Sequence, residues 1–241
     1  MRLKDIQPLS FKSIAQEIDL EATIDFLLPS MRMVEACRSD DFDFFQPLIS
    51  QGRLTVEQMR HAAKRYFLSK TKSGQPIFWM IDDMLQPLDA YIGEGTWISD
   101  ILKRRKPDPL KYWTVQNCLF GLHLLSVASV SSAVENTPVS IVEREQSAVV
   151  LSELYPQNLW MATACLRSFS YDQLKPLTGR QVKIFPHTDE TMSNYVCWLE
   201  IADTARRTYH LDISCSAYLE DHATPSQKER GIDLLDFILE S

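Results

Sequence analysis

Glu143, His187 and Asp189 are the residues of this chain whose types and spacing could do chemistry. Val139-Ser140-Ile141-Val142 runs into Glu143-Arg144-Glu145, and Val182-Lys183-Ile184-Phe185 runs into Pro186-His187-Thr188-Asp189. Two short apolar runs that end in acids read as strands with charged carboxyl ends. In an open parallel sheet that end forms the crevice where ligands and metals bind, so acids there are placed for chemistry and not only for solubility. A carboxylate from one strand and an acid pair from another is the arrangement that holds Mg2+ against phosphates. Here the natural Asp-x-Asp reads His187-Thr188-Asp189. Each residue also has a plainer reading. Glu143 and Glu145 suit a helix N-terminus, where the macrodipole stabilises a carboxylate. Asp189 suits the cap of a helix beginning near Glu190, and His187 suits a surface loop.

A second candidate is basic. Arg60, Lys64, Arg65, Lys70 and Lys72 are interleaved with Tyr66 and Phe67, a pattern that can track a phosphate backbone while an aromatic ring stacks on a base. The same residues also read as a solvated basic face. Neighbouring strand residues point to opposite faces, so either Tyr66 or Phe67 belongs to the core.

Several classes are excluded. The chain has no Gly-x-Ser-x-Gly elbow, no P-loop and no dinucleotide fingerprint, and its seven glycines leave little material for phosphate cradles. A formal net charge of −7 argues against coating nucleic acid with a broad basic surface, though not against a local basic groove. The five cysteines are scattered and never in a Cys-x-x-Cys pair, so buried thiols without disulfide partners are expected. The longest apolar run, Cys118 to Val130, is interrupted by His123 and is too short to span a bilayer. No signal-peptide core follows Met1-Arg2-Leu3-Lys4-Asp5, so the expected setting is cytoplasmic, with no membrane partner.

With 241 residues, 45% of them hydrophobic, the chain can bury a substantial core. Residues 11–38 have helical spacing, with Pro29 closing the helix. Thr55-Val56-Glu57-Gln58 has the form of a capping box, opening a helix to about Arg65. Tyr66-Phe67-Leu68-Ser69 and Ile77-Phe78-Trp79-Met80-Ile81 flank a turn at Gly74 and predict a hairpin. Residues 82–110 are punctuated by prolines and carry no clear assignment, whereas Thr114 to Leu125 reads as a buried helix. From Pro138 strands and helices alternate. Strands are expected at Val139–Val142, Leu159–Ala164, Val182–Phe185 and His210–Ser214. Helices are expected to Tyr155, over Tyr171–Leu177, from Glu190 to about Arg207, and over Ile232–Leu239. That rhythm implies an α/β fold with a parallel sheet. The organisation predicted is a helical segment over 1–53, a mixed α+β region over 54–130 with the hairpin 66–81, and an α/β domain over 138–241.

Residues 138–221 resemble a toprim domain, the Rossmann-like α/β module shared by bacterial primases, topoisomerases and related nucleases. The family's Glu after its first strand falls on Glu143, and its Asp-x-Asp falls on His187-Thr188-Asp189. More narrowly, Gln116-Asn117-Cys118-Leu119-Phe120-Gly121-Leu122-His123-Leu124-Leu125, Val142-Glu143-Arg144-Glu145 and Ile77-Phe78-Trp79-Met80-Ile81-Asp82 resemble an uncharacterised, primase-like, toprim-associated family of bacterial mobile elements. Together these stretches cover roughly Leu54 to the C-terminus. The resemblance implies a DNA-associated protein of replication or mobilisation, with single-stranded DNA or replication proteins as partners. It implies Glu143 as catalytic acid or base, and Mg2+ or Mn2+ at Glu143, His187 and Asp189. The chain departs from the family in three ways: it has no zinc ribbon, Arg144 stands where a glycine often follows the Glu, and His187 stands for the first Asp. Imidazole suits Zn2+ or Mn2+ better than Mg2+, so weak or absent metal binding is expected. The competing expectation is a binding or scaffold protein that keeps the fold without the chemistry.

Overall fold

Two four-stranded sheets, one antiparallel and one parallel, organise the residues that the computed structural model describes: 29–93, 95–105, 118–128, 137–163 and 169–241. Among the described residues three α-helices come first: α1 (Met31–Ala36), α2 (Gln46–Ser50) and α3 (Val56–Arg65). The sequence expectation for 11–38 lies mostly outside the described residues. Within them Pro29 precedes α1. α3 opens on a capping box, with Gln58 N–H donating to Thr55 Oγ1 at 3.1 Å and Thr55 N–H to Gln58 Oε1 at 3.0 Å.

The expected strand at Tyr66 does not form. Tyr66 ends α3, Phe67 takes a left-handed φ of 52°, and β1 is only Ser69–Lys70. The cause is burial: the Tyr66 ring stacks on Phe120 at 5.3 Å, and its hydroxyl donates to Trp160 O at 2.8 Å, which anchors the helix end in the core. β1 pairs antiparallel with β2 (Pro76–Ile81) across the glycine turn. β2 pairs with β3 (Pro87–Ile92), and β3 with β4 (Thr96–Trp97), in the order β1-β2-β3-β4. This second hairpin occupies the unassigned stretch. Its turn is an Asx turn: Asp82 Oδ1 accepts from Met84 N at 2.9 Å and Gln86 N at 2.7 Å. Alternate residues of β2 serve two cores. Ile77, Trp79 and Ile81 cluster with Met33 of α1 and Ile101 of α4 (Ile98–Arg105), while Phe78 and Met80 enter the main core.

The segment before the parallel sheet is not one helix either. Phe120 bridges antiparallel to Ala162, Gly121 turns at φ 85°, and α5 (Leu124–Ala128) begins only afterwards. A Cβ at position 121 would meet Trp160 O at 3.0 Å, so the close approach of this turn to the sheet requires glycine. Residues 114–117 lie outside the described ones.

From Pro138 the strand–helix alternation is present: β5 (Val139–Val142), α6 (Glu145–Leu154), β6 (Leu159–Ala162), a 3-10 helix (Tyr171–Leu177), β7 (Gln181–Ile184), α7 (Ser193–Tyr209) and β8 (Asp212–Cys215). Three short helices close the chain: α8 (Tyr218–His222), α9 (Pro225–Arg230) and α10 (Leu234–Glu240). The four strands run parallel in the order β6-β5-β7-β8. α6 packs on β5 and β6, and α7 on β8 and the 3-10 helix, so the sheet is flanked by helices. The chain leaves β5 for β6 on one side and returns to β7 on the other. The β5/β7 junction is therefore the topological switch point, where open α/β sheets bind ligands.

The main core runs without a break from Phe42, Leu48 and Tyr66 to Val139, Met161 and Trp198, so the expected parts share one interior. Arg53 donates to Ile238 O at 3.0 Å and Leu239 O at 3.3 Å, tying the segment before α3 to α10. Among the described residues no helix is long and apolar enough to cross a membrane. Cys37, Cys118, Cys197 and Cys215 are in no disulfide, and Cys165 lies outside the described residues.

Candidate functional site

The register Val139↔Val182, Ser140↔Lys183, Ile141↔Ile184 makes β5 and β7 direct neighbours, so Glu143 and the His187–Asp189 loop leave the sheet at one edge, at the switch point. The crevice there is crossed by hydrogen bonds. Glu143 Oε1 accepts three of them: from His187 N at 3.0 Å, Asn194 Nδ2 at 2.6 Å and Trp198 Nε1 at 3.1 Å. Trp198 is wholly buried, so its indole N–H needs an internal acceptor, and the half-buried Glu143 supplies it. Asn194 Nδ2 also donates to His187 O at 3.1 Å, which fixes the loop from its other side.

Asp189 caps α7. Its Oδ1 accepts from Thr191 N (2.7 Å), Thr191 Oγ1 (2.6 Å) and Ser193 N (3.1 Å), and its Oδ2 from Asn194 N (2.7 Å) and Ser193 Oγ (3.1 Å). Partial burial works to raise its pKa. The donors from Thr191, Asn194 and Ser193 outweigh it and hold the carboxyl well below the usual range. The helix itself starts after Met192, whose φ of 58° lets the chain turn back under the carboxylate.

His187 faces neither acid through its ring. Its Nε2 is buried without a hydrogen-bond partner, 3.8 Å from Asp233 Oδ2. Asp233 is completely buried and central to a second network. It accepts from Arg144 Nε at 2.8 Å, lies 2.7 Å from Arg144 Nη2, accepts from the Ser147 hydroxyl, and caps α10 through Asp236 N at 2.9 Å. Burial works to raise the Asp233 pKa, but the Arg144 guanidinium prevails and lowers it. Beside them Glu145 is buried on the first turn of α6 with Oε1 unpartnered, and burial pushes its pKa up to about 7.

Sequence reasoning missed Asn194, Trp198, Arg144 and Asp233. The one available signal was Asp233-Leu234-Leu235-Asp236, a capping-box spacing ahead of an apolar run. Among the described residues no three or more His, Cys, Asp or Glu side chains are grouped to hold a metal ion. Glu143, His187 and Asp189 therefore do not fit the divalent-cation site that the resemblance implies: one carboxylate oxygen carries three donors, the other carboxylate five, and the imidazole turns to Asp233.

The basic candidates divide. Arg60 and Lys64 are exposed, one turn apart on α3, and line a surface pocket of about 450 Å3 with Arg38, Glu35 and Asp40. Arg38 Nη2 donates to Lys64 O at 2.9 Å, while Arg60 pairs loosely with Asp40 at 3.6 Å. Arg65 is half-buried, with its carbonyl bonded to His123 Nε2 at 3.0 Å. Lys70 lies on β1, 5.2 Å from the Phe42 ring centre, and Lys72 is exposed in the turn that follows. Tyr66 is buried and not available for base stacking. Phe67 is half-buried, with the Arg38 guanidinium 4.9 Å from its centre and the His123 ring at 5.1 Å.

Residues 43–188, more than half of the chain, match a family described as a domain of unknown function, DUF6371. That span takes in α3, the antiparallel sheet, β5 with Glu143, and β7 with His187, and it stops before Asp189. No curated protein matches the chain.

Proposed function

The chain belongs to the DUF6371 family, and we propose that it is a toprim-like, DNA-associated binding protein of a bacterial mobile element, acting in replication or mobilisation without metal-dependent catalysis. The observation that carries this reading is Glu143. A catalytic carboxylate at a switch point needs its oxygens turned to cation or substrate, and here Oε1 accepts from His187, Asn194 and Trp198. Divalent cations with hard-oxygen preference would have to displace those donors, and the donors around Asp189 as well. The acids order the α7 loop instead.

Nucleic-acid contact in this reading falls to α3 and its surroundings, where Arg60, Lys64 and Arg38 meet at one exposed pocket. A few cations there engage phosphates locally while the net charge of −7 keeps the remaining surface from binding broadly. Calorimetric titration with Mg2+, Mn2+ and Zn2+, beside fluorescence anisotropy with a labelled single-stranded oligonucleotide over a range of salt, tests both halves. Expected are no saturable metal binding and oligonucleotide affinity that falls with salt, with a shallower slope in the Arg60→Gln/Lys64→Gln variant. Saturable Mg2+ binding that Glu143→Gln abolishes restores metal-dependent phosphoryl transfer. Absence of oligonucleotide binding at low salt leaves a scaffold for replication proteins.

A further inference from the structure

Strands covered on both faces read as continuous apolar runs, and β5 and β6 are buried along their whole length. β7 and β8 are not. Gln181 and Lys183 are exposed beside buried Val182 and Ile184, and Asp212 and Ser214 are exposed on either side of buried Ile213. One face of the sheet is thus open over its β7–β8 half. Pairing sets Trp160, Ser140, Lys183 and Ser214 in a single row across the four strands, and residues level with one another in a sheet point to the same face. Phe185, two residues beyond Lys183, shares that face. Its ring lies 5.9 Å from that of Trp160 at 30°, and Lys183 Nζ stands 5.6 Å from its centre.

These residues border a groove of about 450 Å3, reached also by Asn158 and Asp212. Its volume falls in the roughly 300–1,000 Å3 range of small-molecule sites. The lining combines one half-buried aromatic ring, one ammonium, one carboxylate, the two side-chain amides of Asn158 and Gln181, and two hydroxyls. A single cation facing a single anion suits neither a polyphosphate nor a long polyanion, and the polar lining suits no apolar helix. A flat ring with hydrogen-bonding edges and one anionic group matches every part of it. We propose that this groove binds a nucleoside monophosphate. The base takes the ammonium's place over Phe185, Lys183 turns to the phosphate, and Asp212 and Ser214 accept from or donate to the base edge and ribose hydroxyls.

The groove shares no residue with the Glu143 network or the α3 pocket, so its fate is independent of the function proposed above. Equilibrium dialysis of the full chain against AMP, GMP, CMP and UMP, each up to about 1 mM, is the direct test. At least one should bind saturably. Phe185→Leu and Lys183→Gln should each weaken it about tenfold, in line with the loss of one stacking or one charge-assisted contact. Ser214→Trp, which fills the groove from an exposed edge position, should abolish it while circular dichroism stays native. No binding by any of the four, affinity unchanged in the three variants, or binding of an oligonucleotide alone would overturn the assignment.

Discussion

Glu143 and Asn194 are joined side chain to side chain at 2.6 Å, and the backbone N–H of the same asparagine donates to Asp189 at 2.7 Å. One residue on the first turn of α7 thereby links the acid at the end of β5 to the acid beyond β7. The two carboxylates stand at the same edge of the sheet, one held by the asparagine's side-chain amide and the other by its backbone N–H.

That link is testable by charge. Asn194→Ala removes the shortest donor to Glu143 and should cost about 1–2 kcal/mol. Asn194→Asp sets a third carboxylate against Glu143 and should cost more, because like charges then meet where a donor stood. Urea denaturation of both variants decides the point. An Asp variant as stable as wild type would remove Asn194 from the network.

The end of α3 is held by one buried hydroxyl. Tyr66 donates to Trp160 O at 2.8 Å from a fully buried position, and the same ring packs beside Gly121. Tyr66→Phe should cost about 1 kcal/mol, since it keeps the ring and loses the donor. Tyr66→Ala should cost about 3–5 kcal/mol, because it opens a cavity between the two sheets. Equal losses in the two variants would show that the ring adds nothing to the hydroxyl.

Arg144 and Asp233 bind α10 to the start of α6. Asp233 is buried and lowered in pKa, so the pair contributes fully above the ordinary carboxyl value of 3.8 and its contribution fades as acid is added. Arg144→Met strands the Asp233 charge and should cost about 3 kcal/mol at neutral pH. Asp233→Asn should cost less, since the amide leaves no buried charge while half-exposed Arg144 keeps Asp236 at 2.6 Å. Thermal melts of the two variants at neutral pH rank them, and the reverse order would sink this account.

The parallel sheet was legible because β5 and β6 are near-continuous apolar runs, β7 and β8 alternate polar with apolar residues, and long stretches with helical spacing separate them. Position also made the acids at the switch point legible. What those acids do was not, since it depends on Asn194 and Trp198, polar atoms of a helix whose cap had not been located to the residue. At Tyr66 the β-prone run Tyr-Phe-Leu-Ser lost to tertiary packing: a ring stacked on Phe120 outweighs a local preference for strand. Residues 82–110 hid β3 for the opposite reason. Prolines read as breaks, yet Pro87 opens β3 and Asp82 builds the turn ahead of it from its own carboxylate. The basic cluster read as one strip divides because Arg65 and Lys70 lean on the core while Arg60 and Lys64 face outward on α3.

Glu145 gives the sharpest dependence on pH. It is buried, its Oε1 has no partner, and desolvation raises its pKa from 4.5 to about 7. The folded state therefore holds a proton that the unfolded chain releases above pH 4.5, so this residue makes stability fall as the pH rises from about 4.5 to about 7 and level off beyond. A shift of this size is on the order of 3 kcal/mol above pH 7. Glu145→Gln removes the titration while keeping the shape. The variant should match wild type near pH 4 and exceed it by up to that amount at pH 8, as read from denaturant midpoints across the range. A constant difference between the two proteins from pH 4 to pH 8 would mean that Glu145 titrates alike in the folded and unfolded chain, and that burial does not hold its proton.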